Sequence, residues 1–394
     1  MNLKIAPKTT TVSTQQRNTA MQTPRLFRRD ALVGILAIAT LPFTPAATAL
    51  EAVRISPDKR SFILAESGKP FRVWGVNYDH DSKGENGRLL EDYWSDEWET
   101  VRGDFEEMKA LGANVVRVHL QFAKFMSAAD TPNQDSLDQL RRLLDLAERT
   151  GLYLDLTGLG CYHKADTPKW YDDMDEAARW KAQAYFWSAV AKTCRDSPAI
   201  FCYDLMNEPV IGGDTSEGWL GAAFGDKHFV QRLTLDPGKR TQIEIAKAWV
   251  DKLTTAIRAE DAQHLITVGV IPWAMVWPNA KPIFYSPEVS PALDFASIHL
   301  YPKKGEVDKA LTAMAVYDIG KPLLIEETFP LECSLDEMDD FLKRSKDRAE
   351  GYISFYWGRT VEEYAAEKEK KIIATIVGEW LRYFQRQAGF MKQP

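Results

Sequence analysis

The sequence has few of the residues that build metal centres. It contains only six histidines, which are scattered, and four cysteines: Cys161, Cys194, Cys202 and Cys333. No Cys-x-x-Cys pair occurs, so the spacing typical of a structural zinc site is missing, and we predict no metal site. Cys194 and Cys202 are close enough in sequence for a disulfide, and free buried thiols are the alternative.

Basic residues and long apolar runs are also lacking. Lys and Arg number 49 against 56 Asp and Glu, which gives the chain a net charge of −7. The absence of a basic excess argues against nucleic acid as a partner. No apolar run approaches the roughly 20 residues that a membrane-spanning helix needs. With 45% apolar residues, the chain can nevertheless bury a large core.

The first 49 residues differ in charge from the rest. They contain six basic residues and one acid, so they carry +5 and leave −12 for residues 50–394. Arg28-Arg29 precedes an apolar run, Ala31–Leu41, and small residues ending in Ala47-Thr48-Ala49 follow. This order is typical of an export signal peptide cleaved after Ala49, and the arginine pair resembles a twin-arginine signal. We therefore expect residues 50–394 to be periplasmic or secreted, with no membrane contact in the mature form.

Short apolar runs alternate with longer amphipathic stretches after residue 70. The eight predicted strands span residues 71–78, 114–119, 153–157, 200–206, 265–271, 295–301, 323–327 and 352–357. The predicted helices span residues 98–111, 137–150, 176–194, 242–259, 307–317, 335–345 and 372–386. Eight such units predict a single-domain α/β protein, a (β/α)8 TIM barrel. A doubly wound sheet is the alternative, but no G-x-G-x-x-G follows the first strand.

Three further segments complete the predicted barrel domain, residues 50–394. Residues 61–73 predict a small N-terminal β-hairpin that caps the bottom of the barrel. Long connections without a helical pattern follow strand four, at residues 209–240, and strand five, at residues 272–293. Because active sites of such barrels lie at the carboxyl ends of the strands, we expect both connections to serve binding.

Carboxylates end two of the predicted strands. Strand four ends at Asn207-Glu208-Pro209, and strand seven ends at Glu326-Glu327. The carboxyl ends of parallel strands meet at one mouth, so acids from strands four and seven face each other across it. Glycosidic cleavage uses such a pair, one acid to protonate the leaving oxygen and one to attack the anomeric carbon.

The Asn207-Glu208-Pro209 segment resembles the signature of glycoside hydrolase family 5, which includes cellulases and belongs to a clan of (β/α)8 retaining glycosidases. Supporting segments follow in the same strand order: Gly75–Tyr78, Asn114–Arg117, His299–Tyr301 and Trp357. The resemblance implies that Glu208 is the acid/base and Glu327 the nucleophile. It also implies that Asn207 holds the sugar's 2-hydroxyl, that Arg117 and Tyr301 contact the nucleophile, and that Trp357 stacks on a sugar ring.

Four more side chains are candidates for substrate binding: His119, His163, Trp273 and His299. His299 is expected to orient a carboxylate or to bind a hydroxyl, and a structural histidine is the alternative. His119 lies two residues after Arg117 and so on the same side of its strand, with core packing as the alternative. The chain departs from the family pattern at Glu326, where relatives commonly have glycine. We expect Glu327 to reach the mouth and Glu326 to face the helix layer or to pair with a cation. A second departure is the late position of His163 after strand three, which leaves its role open.

These observations predict an exported, endo-type, retaining β-glycoside hydrolase that cleaves β-1,4-linked glucan or mannan through a covalent glycosyl-enzyme. We expect a monomer whose partner is a polysaccharide or oligosaccharide, and the mechanism requires no cofactor. A non-catalytic carbohydrate-binding barrel is one alternative. A glycosidase of glycolipids or short glycoconjugates is another, because it would keep the chemistry and change only the loops.

Overall fold

The computed structural model describes residues 50–80, 88–367 and 372–394. All of them belong to one compact unit. The predicted signal peptide, residues 1–49, lies outside the described residues. Within the described part of the chain, no helix is both long enough and apolar enough to cross a membrane.

Parallel strands form a barrel at the centre of the molecule. They are Val73–Tyr78, Val115–Gln121, Tyr153–Gly160, Ile200–Asp204, Leu265–Thr267 with Gly269–Val270, Ala296–His299, Leu323–Glu327 and Gly351–Tyr356. The fifth strand is interrupted at Val268. Its first part pairs with strand four and its second part pairs with strand six, which brings the two edges of the sheet together. The predicted TIM barrel is confirmed.

Seven long helices surround the strands, and all seven were predicted from the sequence. They are Trp98–Ala110, Gln134–Thr150, Glu176–Cys194, Gln242–Glu260, Val307–Ala315, Leu335–Ser345 and Ile372–Met391. Shorter helical segments are Leu90–Asp92, Phe122–Phe125, Lys164–Asp166, Lys169–Asp172, Trp273–Met275, Ser290–Ala292 and Val361–Ala366. Local sequence sets several ends: Thr241 and Glu244 form a capping box, and Gly151 ends a helix in the left-handed conformation, at φ 67°.

A three-stranded antiparallel sheet closes the amino-terminal end of the barrel. It consists of Val53–Ile55, Phe62–Leu64 and Pro70–Phe71. The ring of Phe62 is fully buried and meets Phe201 and Phe295 edge to face, each at 5.2 Å between ring centroids. The predicted hairpin cap is therefore present, and a third strand extends it.

The two long connections differ in structure. Residues 209–240 are not an irregular loop, because Pro209–Val210, Leu220–Phe224 and Lys227–Arg232 form a small sheet of their own. Residues 272–293 contain only two short 3-10 turns, Trp273–Met275 and Ser290–Ala292. Both connections leave the carboxyl ends of their strands, on the side of the barrel that carries the acids.

The cysteines and most of the tryptophans belong to the core. All four cysteines are free thiols, so Cys194 and Cys202 form no disulfide, and both are fully buried. Five tryptophans on helical patterns were expected in the core, and they are buried: Trp98, Trp180, Trp187, Trp249 and Trp380. Trp74, Trp94 and Trp219, which lie outside the helical patterns, are buried as well, so a helical position identifies packing tryptophans but does not find all of them.

Candidate active site

Glu208 lies immediately beyond strand four in an unusual backbone conformation. Its φ is +48°, in the left-handed region that non-glycine residues adopt at a cost of about 1–3 kcal/mol. The amide of Glu208 donates to the carbonyl of Gly269 on strand five at 2.9 Å, and Pro209 follows. The hydrogen bond to strand five thus holds the strained turn. The side chain of Glu208 is 17% exposed.

Glu327 ends strand seven with its carboxyl surrounded by donors. Oε1 accepts from Nη1 of Arg117, and Oε2 accepts from the hydroxyl of Tyr301 at 2.8 Å. Nδ1 of His299 lies 3.6 Å from Oε2. Burial raises the pKa of the Glu327 carboxyl, but the charges of His299 and Arg117 and the Tyr301 hydrogen bond outweigh it, so the pKa lies below its ordinary value of 4.5. Glu327 is therefore held as a carboxylate.

Arg117 is the central cation of the barrel interior and is fully buried. Besides Glu327, it donates to Asn77 at 3.0 Å, to Asp204 at 2.8 Å and to Asn207 at 3.0 Å. Burial lowers the pKa of the guanidinium, but the surrounding carboxylates raise it well above its ordinary value. A buried charge of this kind is tolerated only when it is paired and hydrogen-bonded, as it is here.

Asn207 is fixed by both ends of its side-chain amide. Its oxygen accepts from Arg117, and its nitrogen donates to the backbone carbonyl of Phe229 at 2.9 Å. Phe229 belongs to the strand Lys227–Arg232, so this hydrogen bond joins the small sheet to the barrel mouth. One amide hydrogen of Asn207 is left for another acceptor.

His299 ends strand six between the acids. Nδ1 lies 2.9 Å from Oε1 of Glu208, and Nε2 lies 3.3 Å from Oε2 of Glu326. Burial lowers the pKa of the imidazole, whereas the carboxylates of Glu327, Glu208 and Glu326 raise it to about 10. Of the roles expected for His299, the structure supports contact with a carboxylate, since the ring meets carboxyls at the ends of strands four and seven.

The structure brings the two predicted acids close together. The nearest carboxyl oxygens of Glu208 and Glu327, together with a ring nitrogen of His299, lie within 4.8 Å of one another. Carboxyl groups of retaining glycosidases are about 5–5.5 Å apart, whereas those of inverting enzymes are about 6.5–9.5 Å apart. The spacing is therefore close to that of retaining enzymes.

Glu326 does not face the helix layer, which corrects one of the two expectations for it. Its side chain is fully buried inside the barrel, 3.7 Å from Nη2 of Arg117 and 3.3 Å from Nε2 of His299. Alternation along the strand turns Glu326 to the barrel axis, and the register shift between Ile298 and His299 accompanies the bend at the strand end. Glu327 then reaches the mouth beyond Glu326. The expected pairing of Glu326 with a cation is confirmed.

His119 is part of the site but not as a charged group. Nε2 faces Oδ1 of Asn77 at 3.2 Å, and Nδ1 contacts the hydroxyl of Tyr162. Burial and the charge of Arg117 lower the pKa of His119 well below its ordinary value. Because Asn77 Oδ1 can only accept, Nε2 carries the hydrogen and Nδ1 accepts from Tyr162.

Several residues of this cluster were missed by sequence reasoning: Asn77, Asp155, Tyr162, Asp204 and Gly269. Asp155 and Asp204 are acids within apolar strands. A buried acid is costly unless it is paired, so such residues are expected to face partners in the barrel interior. That pattern could have identified them. The contacts of Tyr162 depend on the path of a loop and leave no signal in the sequence.

Three further predicted binding residues contact aromatic or loop side chains. Trp357 follows strand eight, is partly exposed and packs against Phe329 and Phe355, each at 5.1 Å between ring centroids. Trp273 packs on the exposed Trp277 and lines a cavity of about 360 Å³ beside the mouth. His163 faces the turn between Leu220–Phe224 and Lys227–Arg232, with Nδ1 3.7 Å from Asp226.

Among the described residues, two groups of side chains could supply three metal ligands each. One is Glu208, His299 and Glu327, and the other is the buried group Asp155, Cys202 and Glu326. In the first group, His299 Nδ1 already faces Glu208, and Glu327 accepts from Arg117 and Tyr301. The donors present are therefore those of an ion-pair network, and we assign no metal to it.

Comparison with known families decides the family of this chain. The family model Cellulase (glycosyl hydrolase family 5) matches residues 64–380. This range includes every barrel strand and leaves out the start of the cap sheet. The chain belongs to glycosyl hydrolase family 5. The resemblance noted from Asn207-Glu208-Pro209 is thereby confirmed over most of the chain.

Curated relatives of this family 5 chain carry mannanase names. The probable mannan endo-1,4-beta-mannosidase A-2 of Aspergillus terreus is 25% identical over 67% of this chain and 59% of its own length. The probable mannan endo-1,4-beta-mannosidase C of the same fungus is 26% identical over 50% of this chain and 42% of its own. The family 5 chain thus spans about half the length of the curated relatives it matches.

Solved structures share the fold of this family 5 chain at low identity. An exo-beta-1,4-mannosidase from Opitutaceae bacterium strain TAV5 superimposes with a TM-score of 0.61 and 17% identity, over 86% of this chain and 62% of that one. The beta-1,4-D-mannanase of Cryptopygus antarcticus gives a TM-score of 0.59 and 16% identity, over 86% and 95%. The Thermobifida fusca endoglucanase gives 0.54 and 15%, over 85% and 97%.

Proposed function

We propose that this protein is a retaining β-glycoside hydrolase in which Glu208 is the acid/base and Glu327 the nucleophile. The spacing of their carboxyls, within 4.8 Å, carries the proposal, because it fits double displacement and not single displacement by water. Arg117, Tyr301 and His299 around Glu327 support the assignment, since a nucleophile must stay ionised.

The reaction balances over two steps. In the first, an oxygen of Glu327 bonds to the anomeric carbon while the bond to the leaving oxygen breaks, and Glu208 gives that oxygen its proton. In the second, Glu208 takes a proton from water as the water oxygen bonds to the anomeric carbon and releases Glu327. The product keeps the configuration of the substrate because the carbon is inverted twice.

The substrate that we propose is β-1,4-linked mannan, cleaved internally in a polysaccharide or oligosaccharide, with β-1,4-glucan as the alternative. Mannan is named in the curated relatives that the chain matches. In this proposal the remaining amide hydrogen of Asn207 binds the 2-hydroxyl of the sugar, and Trp357 is its stacking platform. His119, His163 and Trp273 line the approach to the site. We further propose that the protein is exported with residues 1–49 as its signal and acts as a monomer.

The test is removal of the nucleophile. Glu327→Ala should lower hydrolysis of an activated aryl β-mannoside by at least about 10⁴-fold, because no covalent intermediate can form. Azide should restore part of the activity and give a glycosyl azide of inverted configuration, since it attacks once from the vacated side. Rates and product configuration are followed by NMR.

A matched control is Glu332→Ala, which removes a half-exposed carboxylate paired with Lys303 and should leave turnover unchanged. Full activity of Glu327→Ala would contradict the nucleophile assignment. Oligosaccharide binding by the wild-type protein without hydrolysis of any mannan or glucan would instead favour the non-catalytic carbohydrate-binding barrel.

A further inference from the structure

Glu326 is a third carboxyl beside the two acids, and the proposed reaction gives it no role. Its side chain is fully buried, and Oε2 lies 3.3 Å from Nε2 of His299. On the other side of the same ring, Nδ1 lies 2.9 Å from Oε1 of Glu208. The imidazole of His299 therefore joins the buried carboxyl of Glu326 to the proposed acid/base.

Each ring nitrogen of His299 faces a carboxyl oxygen, and an ionised carboxyl can only accept a hydrogen bond. We propose that Glu326 is a positioning residue that keeps His299 protonated on both nitrogens, so that the ring donates to Glu208 and cannot take its proton. This inference rests on the proposed function of Glu208. In this arrangement the proton that Glu208 gives to the leaving group lies on Oε2 of Glu208, and His299 donates to Oε1.

The surroundings of Glu326 stabilise its charge. Nη2 of Arg117 lies 3.7 Å away, and the carboxyl of Asp155 lies within 4.8 Å. Both oxygens of Asp155 are buried. Burial, followed by the charge of Glu326, raises the pKa of Asp155 well above its ordinary value. The neutral form of Asp155 is therefore favoured beside the Glu326 carboxylate.

The chain makes room for Glu326 at one position of strand five. A Cβ on Gly269 would overlap Oε2 of Glu326 and would lie 2.5 Å from Nε2 of His299. The carboxyl of Glu326 therefore occupies space that exists because residue 269 has no side chain. The backbone carbonyl of Gly269 also accepts a hydrogen bond from the Glu208 amide. Gly269 therefore adjoins both carboxylic residues that His299 contacts.

Loss of the Glu326 charge has a defined chemical consequence. Among the described residues, the charged and titratable groups that act on His299 are Arg117 and His119 on strand two, Glu208 after strand four, and Glu326 and Glu327 on strand seven. Without the Glu326 anion, Glu327 and Glu208 still raise the pKa of His299, whereas burial and Arg117 lower it, so the doubly protonated ring is held less strongly. A neutral ring with hydrogen on Nε2 presents a lone pair at Nδ1, which accepts the proton that the leaving group needs.

The first experiment measures His299 directly. We expect ¹⁵N NMR of histidine-labelled wild-type protein to show both nitrogens of His299 protonated from pH 5 to pH 9, because carboxylates raise its pKa to about 10. The resonance is assigned by its loss in a His299→Gln variant. A titration of His299 near its ordinary pKa of 6.5 in the wild-type protein would overturn the proposal, and no activity is needed to see it.

The second experiment uses Glu326→Gln, which keeps the shape of the side chain and removes its charge. The pKa of His299 should fall by about 1–3 units. At a pH above the new value, kcat for an unactivated β-1,4-oligosaccharide should fall at least about tenfold, while kcat for a dinitrophenyl glycoside, which needs no proton, changes little. The loss should shrink as the pH is lowered, since His299 is protonated again.

Two variants separate charge from shape. Glu326→Asp retains the anion and should keep His299 doubly protonated, whereas Asp155→Asn replaces a neutral acid by a neutral amide and should leave the titration of His299 unchanged. An equal loss on both substrates in Glu326→Gln, with an unchanged His299 titration, would overturn the positioning role. Absence of glycan hydrolysis in the wild type would instead refute the proposed function and leave the NMR result standing.

Discussion

At the scale of the residue, the site is built from inward-facing polar side chains in strands that are otherwise apolar. Arg117, Asp155 and Asp204 are all fully buried, and each lies on a different strand. Alternation along a strand predicts which side chains share a face, and it placed His119 correctly on the side of Arg117, where both contact Asn77. It does not predict which of them meet, because that depends on the relative heights of neighbouring strands.

A prediction at this scale concerns the acid limb of the pH profile. Glu327 is ionised above its lowered pKa, so kcat/KM should fall only as the pH drops through that pKa, below 4.5. Tyr301→Phe removes the hydroxyl that donates to Oε2 of Glu327, which raises the pKa of the carboxyl. The acid limb should then move to higher pH, by up to about one unit, in a plot of kcat/KM against pH.

Tyr185→Phe is the matched control, because Tyr185 is exposed on the helix Glu176–Cys194 and should leave the profile unchanged. An acid limb that stays in place in Tyr301→Phe, or that moves to lower pH, would show that another group controls it.

At the scale of the element, the sequence predicted every long helix and every barrel strand of the described residues, because short apolar runs alternate there with amphipathic stretches. The break in strand five at Val268 and the small sheet within residues 209–240 were not predicted. Short strands of two to six residues bury too little surface to leave a period. The sheet is defined instead by contacts at a distance, such as Asn207 with Phe229.

The cap sheet allows a stability prediction. Phe62→Ala removes a fully buried ring that meets Phe201 and Phe295, so it should lower the free energy of unfolding by about 3–5 kcal/mol. The acids lie at the other end of the barrel, so kcat/KM of the folded variant should match the wild type. Urea unfolding at pH 7 measures the first quantity and initial rates measure the second.

Phe390→Ala is the control for that experiment, since the ring of Phe390 is 46% exposed and its loss should cost far less. If both variants unfolded at the same urea concentration, the aromatic contacts of the cap would not be a major source of stability.

At the scale of the whole molecule, the charge of the sequence divides unevenly. Residues 1–49 carry +5 and residues 50–394 carry −12, a contrast that fits a removable export signal on an acidic domain. This interpretation stays a prediction, because residues 1–49 lie outside the described structure.

Export can be tested with the full chain in a bacterial host that has a twin-arginine route. The exported protein should begin at Leu50, as measured by intact mass, and replacement of Arg28-Arg29 by two lysines should keep the protein in the cytoplasm. Export of an uncleaved chain would contradict the cleavage site, and undiminished export of the lysine variant would contradict the twin-arginine route.

The sequence by itself determined the barrel, its family and the two acids that face each other, because these depend on periodicity and on short motifs at strand ends. It could not choose a place for Glu326. Only the tertiary structure decided that Glu326 faces inward, between Arg117 and His299, in space left by Gly269. The reason is physical: a buried carboxyl is stable only where cations and donors from other strands surround it, and their meeting depends on how the strands are staggered in the closed barrel.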